Sequence, residues 1–325
     1  MQKWAASMKA CQKNACGDNN GRISSMTIDH KLDLSIAIPT LNCIETLRDT
    51  VESLRRLREH GARVVVADSY STDGTYEFAK SSVDEVIQVP KGNLYAAVNA
   101  ALEGLDAAWM TFINGDDVVY AGAVEQALSQ WASQADLIYG NTDFVDIDGR
   151  FLHSWRTPPP GDIIPVSANY MNPVLQPGTL FRKEVFKKLN GFDTTFRYSA
   201  DFDFFLRSKI AGFRFVRHPG LSTSAFRLHG KQFSQSTDAD MLGEARVLVQ
   251  RQDLRIGFLR RKWALARSRL RNTDNYLIRM FRYRSLMGCC QMPRSVVWFK
   301  NDAQSEVRSR LYESEDASKT GVTKR

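Results

Sequence analysis

Acidic residues at three places in this sequence have the setting to do chemistry. Asp116 and Asp117 follow the apolar run at 109–113 and the turn signal Asn114-Gly115. Asp68 opens the polar stretch Asp68-Ser-Tyr-Ser-Thr-Asp-Gly-Thr75, directly after a run of valines. Asp201 stands at the start of a helical pattern, after a loop. Carboxylates beyond the ends of buried strands can hold a hard divalent cation, and that cation can hold a diphosphate. For the Asp116-Asp117 pair taken alone, the alternative is a polar turn with two solvated acids.

Other chemistries find no support. There is no Gly-rich phosphate loop, no Ser-His-Asp spacing and no His pair at metal-ligand spacing. The five cysteines are odd in number and scattered, matching neither a disulfide framework nor a zinc site, which suggests a reducing, cytoplasmic setting. No apolar run approaches the roughly 20 residues of a membrane span, and the first 30 residues lack the apolar core of a secretory signal.

The elements that must position these acids follow from periodicity. Residues 34–38, 63–67, 86–89, 109–113 and 137–139 have the length and residue types of buried strands. Helical spacing fills 42–58, 76–81, 95–105 and 122–131 between them. Alternation at this pace predicts an α/β fold, a Rossmann-like, mostly parallel sheet flanked by helices. Asp68 and Asp116-Asp117 then share one edge of the sheet and face one crevice. Beyond Gly140 the pattern loosens. Residues 144–155, with Asp148-Gly149 as the turn, read as a hairpin. Residues 158–160 and 172–178 read as loop, and 183–189 and 200–210 as helices.

The net charge of +8 is concentrated in one region. Residues 246–284 hold 12 Arg and Lys against two acids, Asp253 and Asp274, so this segment carries +10 and the remainder −2. Ile256, Leu259, Trp263, Ala266, Leu270, Leu277 and Phe281 recur there at helical spacing, with Arg255, Arg260, Arg261, Lys262, Arg267, Arg269 and Arg271 on the other faces. This fits a basic amphipathic helix lying on an anionic membrane surface. A helix packed on the preceding domain with a solvated basic face fits the same pattern. Nucleic acid is not expected as a partner, since no recognition module accompanies the charge. The organisation read from composition and periodicity is a poorly ordered lead (1–31), an α/β domain (32–240), a basic helical extension (241–302) and a polar tail (303–325).

Four stretches together resemble the inverting family 2 glycosyltransferases of the GT-A fold, as in bacterial colanic-acid and O-antigen assembly. They are Leu34-Ser-Ile-Ala-Ile-Pro-Thr-Leu-Asn42, Ala67-Asp-Ser-Tyr-Ser-Thr-Asp-Gly-Thr75, Phe112-Ile-Asn-Gly-Asp-Asp117, and Pro177-Gly-Thr-Leu-Phe-Arg-Lys-Glu-Val-Phe186. The last is followed by Gly191-Phe-Asp193 and Ala200-Asp-Phe-Asp-Phe-Phe-Leu-Arg207. The resemblance implies sugar transfer from a nucleoside-diphosphate donor to a hydroxyl of a glycan or polyprenyl-linked acceptor. It places the enzyme in surface polysaccharide assembly at the cytoplasmic face of the plasma membrane.

It also implies roles. Pro39, Thr40, Asn42, Asp68, Asp73, Asn93, Gly115 and Asp116 would contact the nucleotide. Asp117, with His229, would hold Mg²⁺ or Mn²⁺ on the diphosphate. Asp201 would be the general base, with Asp203 second choice. Asp68 and Asp73 also suit turns and helix caps, Asp201 a helix N-terminus, and His229 a surface loop. Ser69, Ala96 and Ala200 depart from the family pattern, which bears on base and donor preference. The other readings are a nucleotidyltransferase and a sugar-nucleotide-binding relative without catalysis.

Overall fold

A computed structural model of the chain describes residues 31–149, 151–228 and 238–275. The chain divides into two units, Met1–Lys31 and Leu32–Arg325, and the fold below is that of the second. The expected lead, the polar tail and His229 lie outside the described residues.

The first half alternates as the periodicity predicts. Strand β1 is Leu34–Thr40, β2 is Arg63–Asp68, β3 is Glu85–Gln88 and β4 is Trp109–Phe112. Helices α1 (Ile44–Ser53), α2 (Arg55–Glu59), α3 (Thr75–Ser82) and α4 (Leu94–Glu103) run between them. The single helix expected over 42–58 is broken at Leu54, whose amide bonds back to the Val51 carbonyl. Leu47, Leu54 and Leu57 are all fully buried. Each is worth about 1.5–3 kcal/mol over exposure, so packing holds both pieces on one face despite the break.

These four strands are parallel, in the order β3-β2-β1-β4. Both faces of the sheet are covered. Ile36, Ile38, Val64, Val66 and Trp109 point into one apolar layer with Leu47 and Leu54. Ala37, Val65, Ala67 and Phe112 point into the other with Tyr95 and Val98. That burial on both sides is why these strands read as unbroken apolar runs. The chain leaves β1 toward β2 on one side and returns to β4 on the other, so the switch point lies between β1 and β4. Ligand sites of open α/β sheets form beyond the carboxyl ends at such a point.

The second half departs from the expectation. Strand β5 is Val118–Val119, helix α5 is Ala121–Trp131, and β6 is one strand, Leu137–Val145. β6 unites the expected fifth strand with the first arm of the hairpin, and β7 (Phe151–Trp155) is the second arm. A 3₁₀ turn (Pro160–Asp162) and α6 (Ile163–Ser167) lie in and just after the segment read as loop. Strand β8 (Leu180–Arg182) inserts antiparallel between β4 and β6, followed by α7 (Lys183–Lys188) and α8 (Ala200–Ile210). The long β9 (Phe215–Arg227) pairs parallel with β6 and antiparallel with β5. At three residues, β8 is too short to show a period. β9 carries Pro219-Gly220 and a polar Ser-Thr-Ser run, which conceal it in the sequence.

Two helices of the basic extension are described, α9 (Asp238–Arg251) and α10 (Phe258–Arg271). α10 lies against α6. It turns its small residues inward: Ala264 and Ser268 are buried. Arg156 forms two 2.7 Å bonds to the Asp274 carboxylate, its backbone exchanges bonds with Asn272, and Arg267 reaches Asp162. The large apolar residues face outward. Leu259 is 73% exposed, Trp263 66% and Leu270 72%.

Candidate active site

The ends of β1 and β2 are in register, with Thr40 opposite Asp68. The Thr40 hydroxyl donates to Asp68 Oδ1 at 3.0 Å. The Ser71 amide and hydroxyl also donate to Asp68, at 2.9 and 2.5 Å. The carboxylate is fully buried and holds the turn after β2 closed. The loops after β1 and β2 each carry one residue of positive φ. Asn42 has φ +51° and exposed Tyr70 has φ +54°. Asn tolerates the left-handed region; a Tyr there is uncommon and marks a place to look for function. Asn42 is itself bonded across the crevice mouth, its Oδ1 accepting from the Thr72 amide at 2.8 Å.

Asp73 acts as a pin between two helix starts. It accepts from the Thr75 amide and hydroxyl at 3.0 and 2.6 Å and from the Ile44 amide at 3.1 Å. Burial opposes its charge, but these donors outweigh it and hold its carboxyl below the usual range. Asn93 caps α4, accepting from the amides of Tyr95 and Ala96 at 2.9 and 3.0 Å, and donates to the Thr194 carbonyl. The polar atoms of Asn93 are thus engaged within the fold, as are those of Asp73.

The turn after β4 separates its two acids. Asp117 is fully buried. Its Oδ1 accepts from the Arg227 amide at 3.0 Å, and its Oδ2 accepts from Asn114 Nδ2 at 3.3 Å. Burial first, then the neighbouring Asp116 charge, pushes its pKa well above the ordinary value. Asp116 is half-buried, and Arg227 Nε holds its carbonyl at 2.9 Å. The acid that reaches the surface at this turn is therefore Asp116, one residue before the expected metal ligand. Gly115 is closely packed: a Cβ there would lie 2.7 Å from Cys43 Sγ, so the cysteine side chain would have to shift. Among the described residues no three His, Cys, Asp or Glu side chains cluster to cage a cation. A cation here would need one carboxylate plus the donor's phosphates, which is how Mg²⁺ usually binds. Asp116, the half-buried acid of this turn, could supply that single carboxylate.

Asp201, in the first turn of α8, is half-buried. Its Oδ1 lies 3.2 Å from the Tyr95 hydroxyl and its Oδ2 3.1 Å from Asn172 Nδ2. Burial raises its pKa from 3.8 to about 6, against bonds from the Phe202 amide, Tyr95 and Asn172. A carboxylate poised near neutrality and held by neutral donors suits a general base. Asp203 is buried and turned to Arg207 at 2.6 Å, and Arg207 clamps the carbonyls of Leu189 and Gly191. Its role is to hold that turn.

Residues 35–190 match the family model for glycosyl transferase family 2. This segment is a family 2 glycosyltransferase domain. The chain is thus a glycosyltransferase, and the match favours sugar transfer over the nucleotidyltransferase reading. A PGL/p-HBAD biosynthesis glycosyltransferase of Mycobacterium bovis is 22% identical over 182 residues, 53% of this chain and 68% of that protein. Glycosyltransferase GlyA of Streptococcus pneumoniae is 28% identical over 133 residues, 39% of this chain and 19% of that protein. Among solved structures, S. aureus TarS 1–349 in complex with UDP-GlcNAc aligns with TM-score 0.56 at 17% identity, covering 74% of this chain and 72% of that one. The mannosyltransferase PcManGT of Pyrobaculum calidifontis, in complex with GDP-Man and Mn²⁺, aligns with TM-score 0.50 at 15% identity over 89% of this chain and 83% of that one. At such identities the likeness establishes the fold, which is GT-A.

Four residues that tie the glycosyltransferase site together were not singled out by sequence reasoning. Tyr95 and Asn172 hold Asp201, and Arg227 holds the acid turn. Glu244 of α9 accepts from the amides of Arg197, Tyr198 and Ser199 at 2.7–2.9 Å, fixing the loop into α8. Tyr95 stands beside Ala96, one of the departures from the family pattern. The other three carry no local signal.

Proposed function

We propose that this enzyme transfers a sugar, with inversion, from a nucleoside-diphosphate donor to an acceptor hydroxyl. The observation that carries the reading is Asp201. Its carboxyl is held at a helix start by neutral donors, and its pKa of about 6 lets it accept a proton at physiological pH. Single displacement needs such a base on the attacking hydroxyl.

Thr40, Asp68 and the 69–73 turn would form the nucleotide wall, with Pro39 and Asn42 at its rim. Asp116 is the residue we assign to Mg²⁺ or Mn²⁺, in place of Asp117. A bound cation would supply charge neutralisation for the leaving diphosphate. Asp117 and Arg227 position the backbone from which Asp116 projects. His229 stays a candidate from its place in the sequence alone.

For the acceptor we propose a lipid-linked glycan in surface polysaccharide assembly, reached at the cytoplasmic face of the membrane. What supports this is α10. Leu259, Trp263 and Leu270 point away from the domain, and Arg255, Arg260, Lys262 and Arg269 are exposed on the same segment. Apolar side chains with a basic surround match an anionic lipid surface. No described helix is long and apolar enough to cross a membrane.

The test is donor binding by calorimetry with UDP-GlcNAc and GDP-mannose, with and without Mn²⁺, followed by anomeric analysis of the product. Binding of neither donor, donor binding that Mn²⁺ leaves unchanged, or a product with retained configuration would refute the corresponding part.

A further inference from the structure

We propose that Tyr95 is the positioning residue of the catalytic base, holding Asp201 in one place both before and after proton transfer. This rests on the assignment of Asp201 as the base. Tyr95 is 6% exposed and fixed at both ends. Its backbone amide is tied to Asn93, and its ring stacks on Phe192 at 5.9 Å and meets Phe112 edge-on at 6.3 Å. Its hydroxyl lies within reach of two acceptors, Asp201 Oδ1 at 3.2 Å and the Tyr198 carbonyl at 3.0 Å.

A hydroxyl has one proton. When Asp201 is ionised, the charged oxygen is the stronger acceptor and takes it. In the reaction the acceptor's O–H bond breaks and a carboxyl O–H bond forms on Asp201. The freed electron pair makes the new glycosidic bond, and the diphosphate departs with the pair of the old one. The Asp201 carboxyl, now a donor, bonds to a lone pair of Tyr95 Oη. The Tyr95 proton swings to the Tyr198 carbonyl, and no heavy atom has to move. The tyrosine keeps its own proton throughout, since burial, reinforced by the Asp201 charge, holds the phenol far above its ordinary value.

The surroundings permit this rotation. Asn172 is neutral and occupies the other oxygen of Asp201. Asp203, on the same helix, is committed to Arg207. Glu244 faces the cluster from α9 with its carboxylate on three amides, one of them Tyr198. The Arg197 guanidinium lies over the Tyr198 ring at 5.5 Å.

The test uses the full chain, carbon-13 labelled in aspartate, with the Asp201 carboxyl assigned from its loss in Asp201→Asn. Its titration is followed by NMR. In Tyr95→Phe the ring packing is kept and a donor to the ionised form is lost, so the Asp201 pKa should rise by about one pH unit. Incorporating 3-fluorotyrosine at position 95 makes a stronger donor, and the pKa should fall. A purely structural tyrosine would move neither, and an unmoved titration in both proteins overturns the proposal. Hydrolysis of UDP-GlcNAc or GDP-mannose, whichever the wild type cleaves, runs alongside. If Asp201→Asn hydrolyses the donor at the wild-type rate, the base assignment itself fails, whatever the titrations show.

Discussion

The backbone amide of Arg227 donates to the buried carboxylate of Asp117 at 3.0 Å. Through this bond the last residue of β9 locks the turn that follows β4, more than a hundred residues earlier in the chain. The guanidinium completes the lock, with Nε on the Asp116 carbonyl, Nη1 on the Ile147 carbonyl and Nη2 on Asp49 at 2.9 Å. Asp117 is therefore tied into the scaffold, and the assignment of Asp116 to the cation follows from this difference in burial.

This division predicts opposite behaviour for two conservative changes. Asp116→Asn should leave the melting temperature near wild type and abolish Mn²⁺-dependent donor binding, because a neutral amide cannot offset the cation. Asp117→Asn should keep Mn²⁺-dependent binding within a few fold. The amide can still accept from Arg227, and its NH₂ can donate to Asn114 Oδ1 once the Asn114 amide, which now turns its Nδ2 to Asp117, flips over. Calorimetric titration of each variant with donor, with and without Mn²⁺, decides. A reversed pattern would return the metal to Asp117.

Glu244 links the extension to the catalytic helix. Its carboxylate receives three consecutive amides, and charge-assisted bonds are about twice as strong as neutral ones. Glu244→Gln should lower turnover about 10-fold or more by loosening the loop that carries the Tyr198 carbonyl, while donor affinity holds. Glu244→Ala should be worse. An unchanged kcat in both variants would show that α9 merely packs there.

The first half of the fold was legible because β1, β2 and β4 are buried on both faces and its helices are amphipathic. Each element from β1 to β4 carries its own period. The second half was not, because β8 is three residues long and β9 alternates polar side chains around Pro219-Gly220. The site divides in the same way. Asp68, Asp116 and Asp201 announce themselves by their places after strands or at a helix start. Which of two adjacent acids turns inward depends on Arg227, distant in sequence, and no local pattern encodes that. The amphipathic pattern of α10 was visible, but the face it uses for packing was not. Its small residues, Ala264 and Ser268, meet the domain, and its bulky ones do not.

That orientation predicts the effect of surface changes. Leu259→Ser, Trp263→Ser and Leu270→Ser remove exposed side chains, so together they should leave the melting temperature nearly unchanged. They should reduce co-sedimentation with phosphatidylglycerol vesicles several-fold. Binding of the wild type should weaken with added salt, since exposed charges are screened. Salt-insensitive binding, or none by the wild type, would rule out a membrane role for this face.

Asp201→Asn should cut turnover and stabilise the fold at neutral pH. The carboxyl of Asp201 titrates near 6 in the folded protein against 3.8 ordinarily, with burial as the main cause. Its charged form is thus disfavoured by folding. Below about pH 4 both states hold the proton and the residue contributes nothing to the pH dependence. Between 3.8 and about 6 the folded state binds more protons than the unfolded state, so stability falls as pH rises. Above that window the full penalty is present. Asn has the same shape and no charge, so it escapes the penalty. The melting temperatures of wild type and Asp201→Asn should be close near pH 4 and diverge toward pH 7, with the variant higher. Residual exposure of Asp201 to solvent keeps the difference modest. Over the same range wild-type turnover should rise with pH through about 6 as the base ionises, and the variant should lose about 100-fold or more at its plateau. Donor affinity should be little changed, because the donor contacts proposed above fall to Asp68, Thr40 and Asp116 and not to Asp201. A residue that only began its helix would behave differently, since Asn caps as well as Asp and turnover would survive. Melting curves that stay parallel between pH 4 and 7, together with near wild-type transfer, would remove Asp201 from the mechanism.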